Sequence, residues 1–229
     1  MEQSANVSDV MKVASIEAEI KALPVRNTQT MRVIRRKYSR LLKQASTEFI
    51  LHLARKLLEI EAYRWIAYEL IANHTPSFEC LGETELEDLG RGINSWWTVD
   101  DFARTLAGPA WRKEQVSDKA ILKWAYSPDR WWRRAALVST VALNVRSRGG
   151  KGDIPRTLRI CRVLVKDHDD MVVKAMSWAL RELVVHDARA VQEFLSRYDH
   201  VLVARVKREV KNKLKTGLKN PKRQSRRAP

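Results

Sequence analysis

Two cysteines in 229 residues exclude a disulfide framework, and Cys80 and Cys161 stand in no metal-ligand spacing. Both are expected to be buried thiols. The five histidines, His52, His74, His168, His186 and His200, are scattered, so no zinc site is proposed. No apolar run approaches the roughly 20 residues that span a bilayer. The start, Met1-Glu2-Gln3-Ser4, lacks the basic-then-apolar order of a signal peptide. A cytoplasmic chain with no membrane partner is the expectation. Strand signals are also missing: there is no convincing period-two alternation and no Asn-Gly or Asp-Gly hairpin turn. The Arg146-Ser147-Arg148-Gly149-Gly150-Lys151-Gly152 segment lacks the Gly-Lys-Ser/Thr ending of a nucleotide-binding P-loop.

Positive charge is present instead. The formal net charge is +16 and the pI is near 10.1. From His200 to Pro229 there are 11 Lys/Arg against one acid, Glu209, whereas residues 1–199 carry 32 basic and 26 acidic groups. The stretch from residue 215 to 229 is expected to be a basic, disordered tail, and residues 1–214 a single folded domain. Trp111 to Asp170 holds 14 basic and seven acidic residues, a milder excess inside the folded part. Nucleic acid is the favoured partner, and a basic but merely soluble surface is the plainer alternative.

Helical periodicity runs almost throughout. Met31, Ile34, Tyr38 and Leu41 recur at three- and four-residue intervals, as do Ala62, Trp65, Ile66, Tyr68 and Leu70. Later helical runs cover 121–124, 135–143, 158–165, 172–183 and 201–214, with breaks at Ala107-Gly108-Pro109, Ser127-Pro128-Asp129 and the Gly149–Gly152 loop. Segments beginning near Glu61, Ser95, Arg130, Asp170 and Val201 follow one another at 31–40 residues, close to the repeat length of helical-hairpin solenoids. The expected fold is all-α, an α-α superhelix of HEAT-like hairpins whose second helices line a concave face. An irregular helical bundle is the alternative.

Several residues carry chemistry at helical spacing. Trp96 and Asp100, four apart, project onto one face at the head of a helix. An acid in the first turn, capped by Ser95 or Asn94, equally suits the helix dipole. Arg134 follows Trp131-Trp132-Arg133, with an exposed charge as its plain explanation. Trp178 lies between Lys174 and Arg181, where a core role is the ordinary one. Arg32, Arg35 or Arg36, Arg40 and Lys43 form a basic stripe opposite Met31, Ile34, Tyr38 and Leu41; it fits phosphates or simply solvent. The 146–152 loop is cationic and is expected to be flexible, with Arg148 and Lys151 as phosphate contacts.

These residues resemble the AlkD family of DNA alkylation repair glycosylases, built from HEAT-like repeats. The resemblance rests on Trp96-x-x-Val99-Asp100, Trp131-Trp132-Arg133-Arg134-Ala135-Ala136, Lys174-Ala175-Met176-Ser177-Trp178-Ala179-Leu180-Arg181-Glu182 and Lys207-Arg208-Glu209. Pro24-Val25-Arg26 and Glu61-Ala62-Tyr63-Arg64-Trp65 fit more loosely, and the likeness covers roughly residues 20–215. It implies excision of N3- or N7-alkylated purines from duplex DNA in base excision repair, by a monofunctional glycosylase that needs neither metal nor cofactor and acts as a monomer. Asp100 would be the catalytic carboxylate, Trp96 and Trp178 the sugar and lesion contacts, and Arg134, Lys174 and Arg181 a backbone clamp. Apart from the resemblance, the placement of their charge makes Arg32, Arg36, Arg40, Arg148, Lys151, Lys207 and Arg208 candidate phosphate contacts. The doubled letters Trp96-Trp97 and Asp100-Asp101 leave a second register open, with Trp97 and Asp101 as the pair. A non-enzymatic HEAT-like protein that recognises distorted or branched DNA is the alternative function.

Overall fold

A computed structural model describes residues 2–25 and 27–221, with side chains from Met11 onward. Arg26 and the tail residues 222–229 therefore lie outside the described residues. Those described are predominantly helical, with no strand among them. The chain divides into two compact units, Met1–Val116 and Ser117–Pro229.

The first unit contains α1 (Glu2–Lys21), α2 (Thr28–Leu41), α3 (Thr47–Leu58), α4 (Arg64–Ala72), α5 (Thr75–Glu79), α6 (Glu83–Leu89), α7 (Trp96–Phe102) and α8 (Gly108–Arg112). Local chemistry sets the starts. Asn27 accepts from the amides of Gln29 and Thr30, and Ser46 accepts from that of Phe49, so orphan helix donors are satisfied. Helix α4 is central and packs against α2, α3, α5 and α7. Its Ile66, Ala67, Tyr68, Leu70 and Ile71 are buried, with Leu53 and Leu57 of α3 and Ile34 and Tyr38 of α2. The apolar stripe of α2 closes on Leu42, 8% exposed, and leaves Leu41 64% exposed. Leu42 continues the four-residue spacing from Ile34 and Tyr38, which places it under the helix and turns Leu41 outward. Cys161 is buried as expected, but Cys80 is exposed at the end of the short α5.

The second unit contains α9 (Asp118–Ala125), α10 (Arg130–Asn144), α11 (Ile154–Val163), α12 (Asp170–Leu183), α13 (Ala188–Arg197) and α14 (Ala204–Thr216). Here the hairpin repeat is plain. Helix α9 pairs with α10 and α11 with α12, while α13 leads back into α14. Helices α10, α12 and α14 lie side by side, as do α9 and α11. Five of these six helices open on an acidic or hydroxyl cap: Ser117, Asp129, Asp153, Asp169 and Asp187 accept amides from the helices they open, whereas α14 opens on Val203 without one. The buried stripes of α10 (Ala135, Leu137, Val138, Val141) and α12 (Val172, Ala175, Met176, Ala179, Leu183) close the core between them. Helix α14 runs to Thr216 and ends at Gly217, whose φ of 73° is the left-handed conformation of a helix C-terminal cap.

Candidate functional site

Helix α7 is fixed at its start by a reciprocal cap. The Thr98 amide donates to Ser95 Oγ at 3.4 Å, and the Ser95 amide donates back to Thr98 Oγ1 at 3.2 Å. Thr98 thus does the work of the usual glutamate in a capping box. Below the cap, Val99 and Phe102 are buried, and the Phe102 ring meets Tyr68 of α4 at 5.7 Å, tilted by 56°. Trp96, the first helical residue, stands 58% exposed. Asp100, one turn further on, is half-buried. The helix thus presents an accessible aromatic ring one turn before a carboxylate.

Beyond Phe102 the helix does not stop at Gly108-Pro109, where a break was expected. It passes through a π-helical segment, Ala103–Ala107, into α8, and the Gly108 amide bonds to Ala103 O five residues back. Pro109 has no N–H to give Thr105, and its ring would clash with that carbonyl in a regular helix. Widening the turn relieves the clash without ending the helix. Such π-bulges recur at functional sites.

The surroundings are charged. Arg35 Nε of α2 lies 2.6 Å from Glu69 Oε2 of α4, and Arg32 reaches the same carboxylate at 3.5 Å. Of the basic stripe expected on α2, Arg32 and Arg35 are therefore engaged with Glu69, while Arg36 and Arg40 are exposed. Asp101 is half-buried, and its carboxyl is pushed up to about 6. Burial is the largest cause, followed by the negative charges of Asp100 and Glu69; Arg104 and Arg32 offset part of it. Arg64, buried at the start of α4, donates to the carbonyls of Leu58, Leu89 and Arg91 and to the Tyr68 hydroxyl. It thereby holds the segment that leads into α7. This positioning role was not visible in the sequence, because the carbonyls it joins lie up to 27 residues away.

The second unit holds the other expected residues. Asp129 caps α10, and the Arg130 guanidinium lies over the Trp131 ring at 4.8 Å. Arg133 is tied to Asp167 at 2.7 Å and to the Ser127 and Pro128 carbonyls. Arg134 is not the exposed charge its plain explanation supposed: only 5% of it is accessible, and Nη1 donates to Met171 O at 2.6 Å. It joins α10 to the first turn of α12. On α12, Lys174, Trp178 and Arg181 follow at four and three residues and are all half-buried, so they share one accessible face. Lys174 pairs with Asp170, Trp178 Nε1 donates to Glu182 at 3.0 Å, and Arg181 Nε donates to Ser177 Oγ at 3.3 Å. Ser177 in turn donates to Glu209 Oε2 at 2.6 Å.

Glu209 is the residue the sequence left unassigned. It is 3% exposed and is also met by Arg205 at 3.2 Å and Lys219 at 3.5 Å. Burial raises its carboxyl, but the Ser177 hydrogen bond and the charges of Lys219, Arg205 and Arg181 outweigh that and hold it below the usual carboxylate range. Glu209 thus anchors the far side of the Trp178–Arg181 face. Of its sequence neighbours, Lys207 pairs with Asp199 and Arg208 is exposed.

The described residues form helical hairpins, with an aromatic-carboxylate helix in the first unit and a tryptophan-cation face in the second. Among the described residues no group of His, Cys, Asp and Glu is disposed to hold a metal ion, and no helix is long and apolar enough to cross a membrane. The family model described as DNA alkylation repair enzyme matches residues 2–214, so the chain belongs to that family. No curated protein and no solved structure matches it.

Proposed function

We propose that the chain is a DNA glycosylase that excises cationic N3- or N7-alkylated purines from duplex DNA, as a monofunctional enzyme of base excision repair. The observation that carries this is the exposed Trp96 one turn before Asp100, on a capped and core-anchored helix, in a chain of the DNA alkylation repair enzyme family. An alkylated purine of this kind already bears positive charge, so it leaves without a general acid. The bond from the base nitrogen to C1′ breaks, the base takes the electron pair and becomes neutral, and positive charge develops on the sugar. Asp100 stabilises that charge and orients a water whose oxygen bonds to C1′; the water's proton passes to the carboxylate or to solvent. Trp96 covers the deoxyribose and excludes water, which strengthens the carboxylate's field. Trp178 is assigned a second contact to the lesion strand, and Lys174 and Arg181 contacts to the DNA backbone; Arg134, assigned to that clamp from the sequence, is buried and bonded to Met171 O and so is given the role of holding α12 in place.

The choice of Asp100 over Asp101 has a physical basis. Asp101, its carboxyl pushed up to about 6, is still ionised at neutral pH, so the choice rests on the aromatic partner. Trp97, its partner at four residues, is half-buried, whereas Trp96 is exposed.

The test is release of free base from duplex DNA bearing 7-methylguanine. The parent chain and Asp101→Asn are expected to release it, and Asp100→Asn to be slower by orders of magnitude. Equal loss in the two variants would reverse the register. Tight, lesion-blind binding without release by a folded parent chain would favour the non-enzymatic DNA-binding alternative.

A further inference from the structure

The segment joining α10 to α11 looks slack in sequence, with three glycines among cations. Its geometry is the opposite. Gly149 and Gly152 have φ of 83° and 90°, a region L side chains rarely adopt. At Gly150 an added Cβ would lie 2.6 Å from the Val145 nitrogen, so only glycine fits. Backbone amides throughout the loop are used: Gly149 donates to Arg146 O, Gly150 to Val145 O, Gly152 to Leu143 O and Asp153 to Asn144 Oδ1.

Two side chains lock the loop from within. Asn144 is fully buried, and its amide donates to Thr140 O and Thr157 Oγ1. His186, in the turn after α12, packs its ring where a Gly152 Cβ would stand and places Nε2 2.6 Å from Asn144 O. A carbonyl only accepts, so Nε2 carries the hydrogen. Arg146 closes the other side by donating to Val185 O at 3.0 Å.

Outward, the loop presents Arg148 and Lys151, both exposed. Several other cations of this unit are spent on acids: Arg133 on Asp167, Arg156 on Asp118, Lys174 on Asp170, Lys207 on Asp199. Two exposed cations on a locked backbone lose little entropy when an anion arrives.

We propose that residues 145–152 form a preformed grip for the phosphate backbone of duplex DNA, with Arg148 and Lys151 as the contacts and His186 as the positioning residue. The choice of DNA rests on the function proposed above; the grip itself rests on the loop. The plain competitor is that the cations only complement the negative helix end.

The experiment measures binding of the full chain to undamaged duplex DNA across a salt series, alongside base release from 7-methylguanine DNA. Each neutralised phosphate contributes about 0.9 to the slope of log K against log salt. Arg148→Ala/Lys151→Ala is expected to reduce the slope by about 1.8, with thermal stability unchanged. His186→Ala is expected to reduce it in part, and His186→Gln, which retains a donor for Asn144 O, to restore it. An unchanged slope in the double variant overturns the grip, even where base release persists. A slope that falls while the parent releases no base supports the grip and overturns the glycosylase proposal alone. A full slope in a folded His186→Ala overturns the positioning role.

Discussion

Asp101 and Glu209 are buried to different degrees and solve the problem of a carboxyl inside protein in opposite ways. Asp101 has a carboxyl near 6 in the folded chain, against about 3.9 in the unfolded one. Between those values the folded form holds a proton that the unfolded form has lost. Stability therefore falls as pH rises through that window, and the whole penalty is present above it. Two units correspond to about 2.7 kcal/mol at most, and partial solvent access reduces that to the order of 1 kcal/mol. Asp101→Asn should raise the melting temperature at pH 7.5 and leave it unchanged at pH 4. A variant less stable than the parent at both values would show that the carboxyl is not strained. Glu209 has its carboxyl depressed, so its contribution is present at neutral pH and is lost as pH falls through the folded-state value. Glu209→Gln leaves Arg205, Lys219 and Arg181 short of a buried counter-charge. We expect a loss on the order of 2–3 kcal/mol at pH 7 in urea unfolding, shrinking in acid, where the parent also becomes neutral.

At the scale of the element, α7 owes its start to Ser95 and its continuation to the π segment. Ser95→Ala removes the acceptor for the Thr98 amide and should cost about 1 kcal/mol in denaturant unfolding. Since the cap also fixes the angle at which Trp96 leaves the helix, base release should fall in the same variant under conditions where it remains fully folded. An unchanged rate would separate the cap from the site. The cap was legible in sequence because its partners are three residues apart, and helical periodicity made the all-α fold legible for the same reason. What was not legible depends on distant partners. The 146–152 loop is locked by His186, and Arg134 is buried because Met171 O lies above it. The continuity of 96–112 was hidden by Gly108-Pro109, a pair that ends most helices but here widens a turn. The Trp96–Asp100 spacing was legible as a candidate pair; Glu69, Arg64 and Glu209 had no role that spacing could assign, because the partners they join are distant in sequence.

Across the whole molecule, charge falls into two kinds. In the folded units most arginines and lysines named above face acids or carbonyls, which makes them poor sources of free positive potential. From Lys213 to Arg227 seven cations are accompanied by no acid, and four of them, Lys222, Arg223, Arg226 and Arg227, lie in the last eight residues. Cations clustered in sequence bind any phosphate backbone by releasing its counterions, and that attraction carries no information about a lesion. Removing residues 222–229 should therefore weaken binding to undamaged and 7-methylguanine duplexes by the same factor. Four charges set an upper limit of about 3.6 on the loss of salt slope. Release at saturating protein, which the proposed function assigns to the Trp96–Asp100 helix, should not change. If instead the truncation reduced binding to damaged DNA more than to undamaged DNA, the tail would be part of lesion recognition. Discrimination would then no longer rest on the helix face alone.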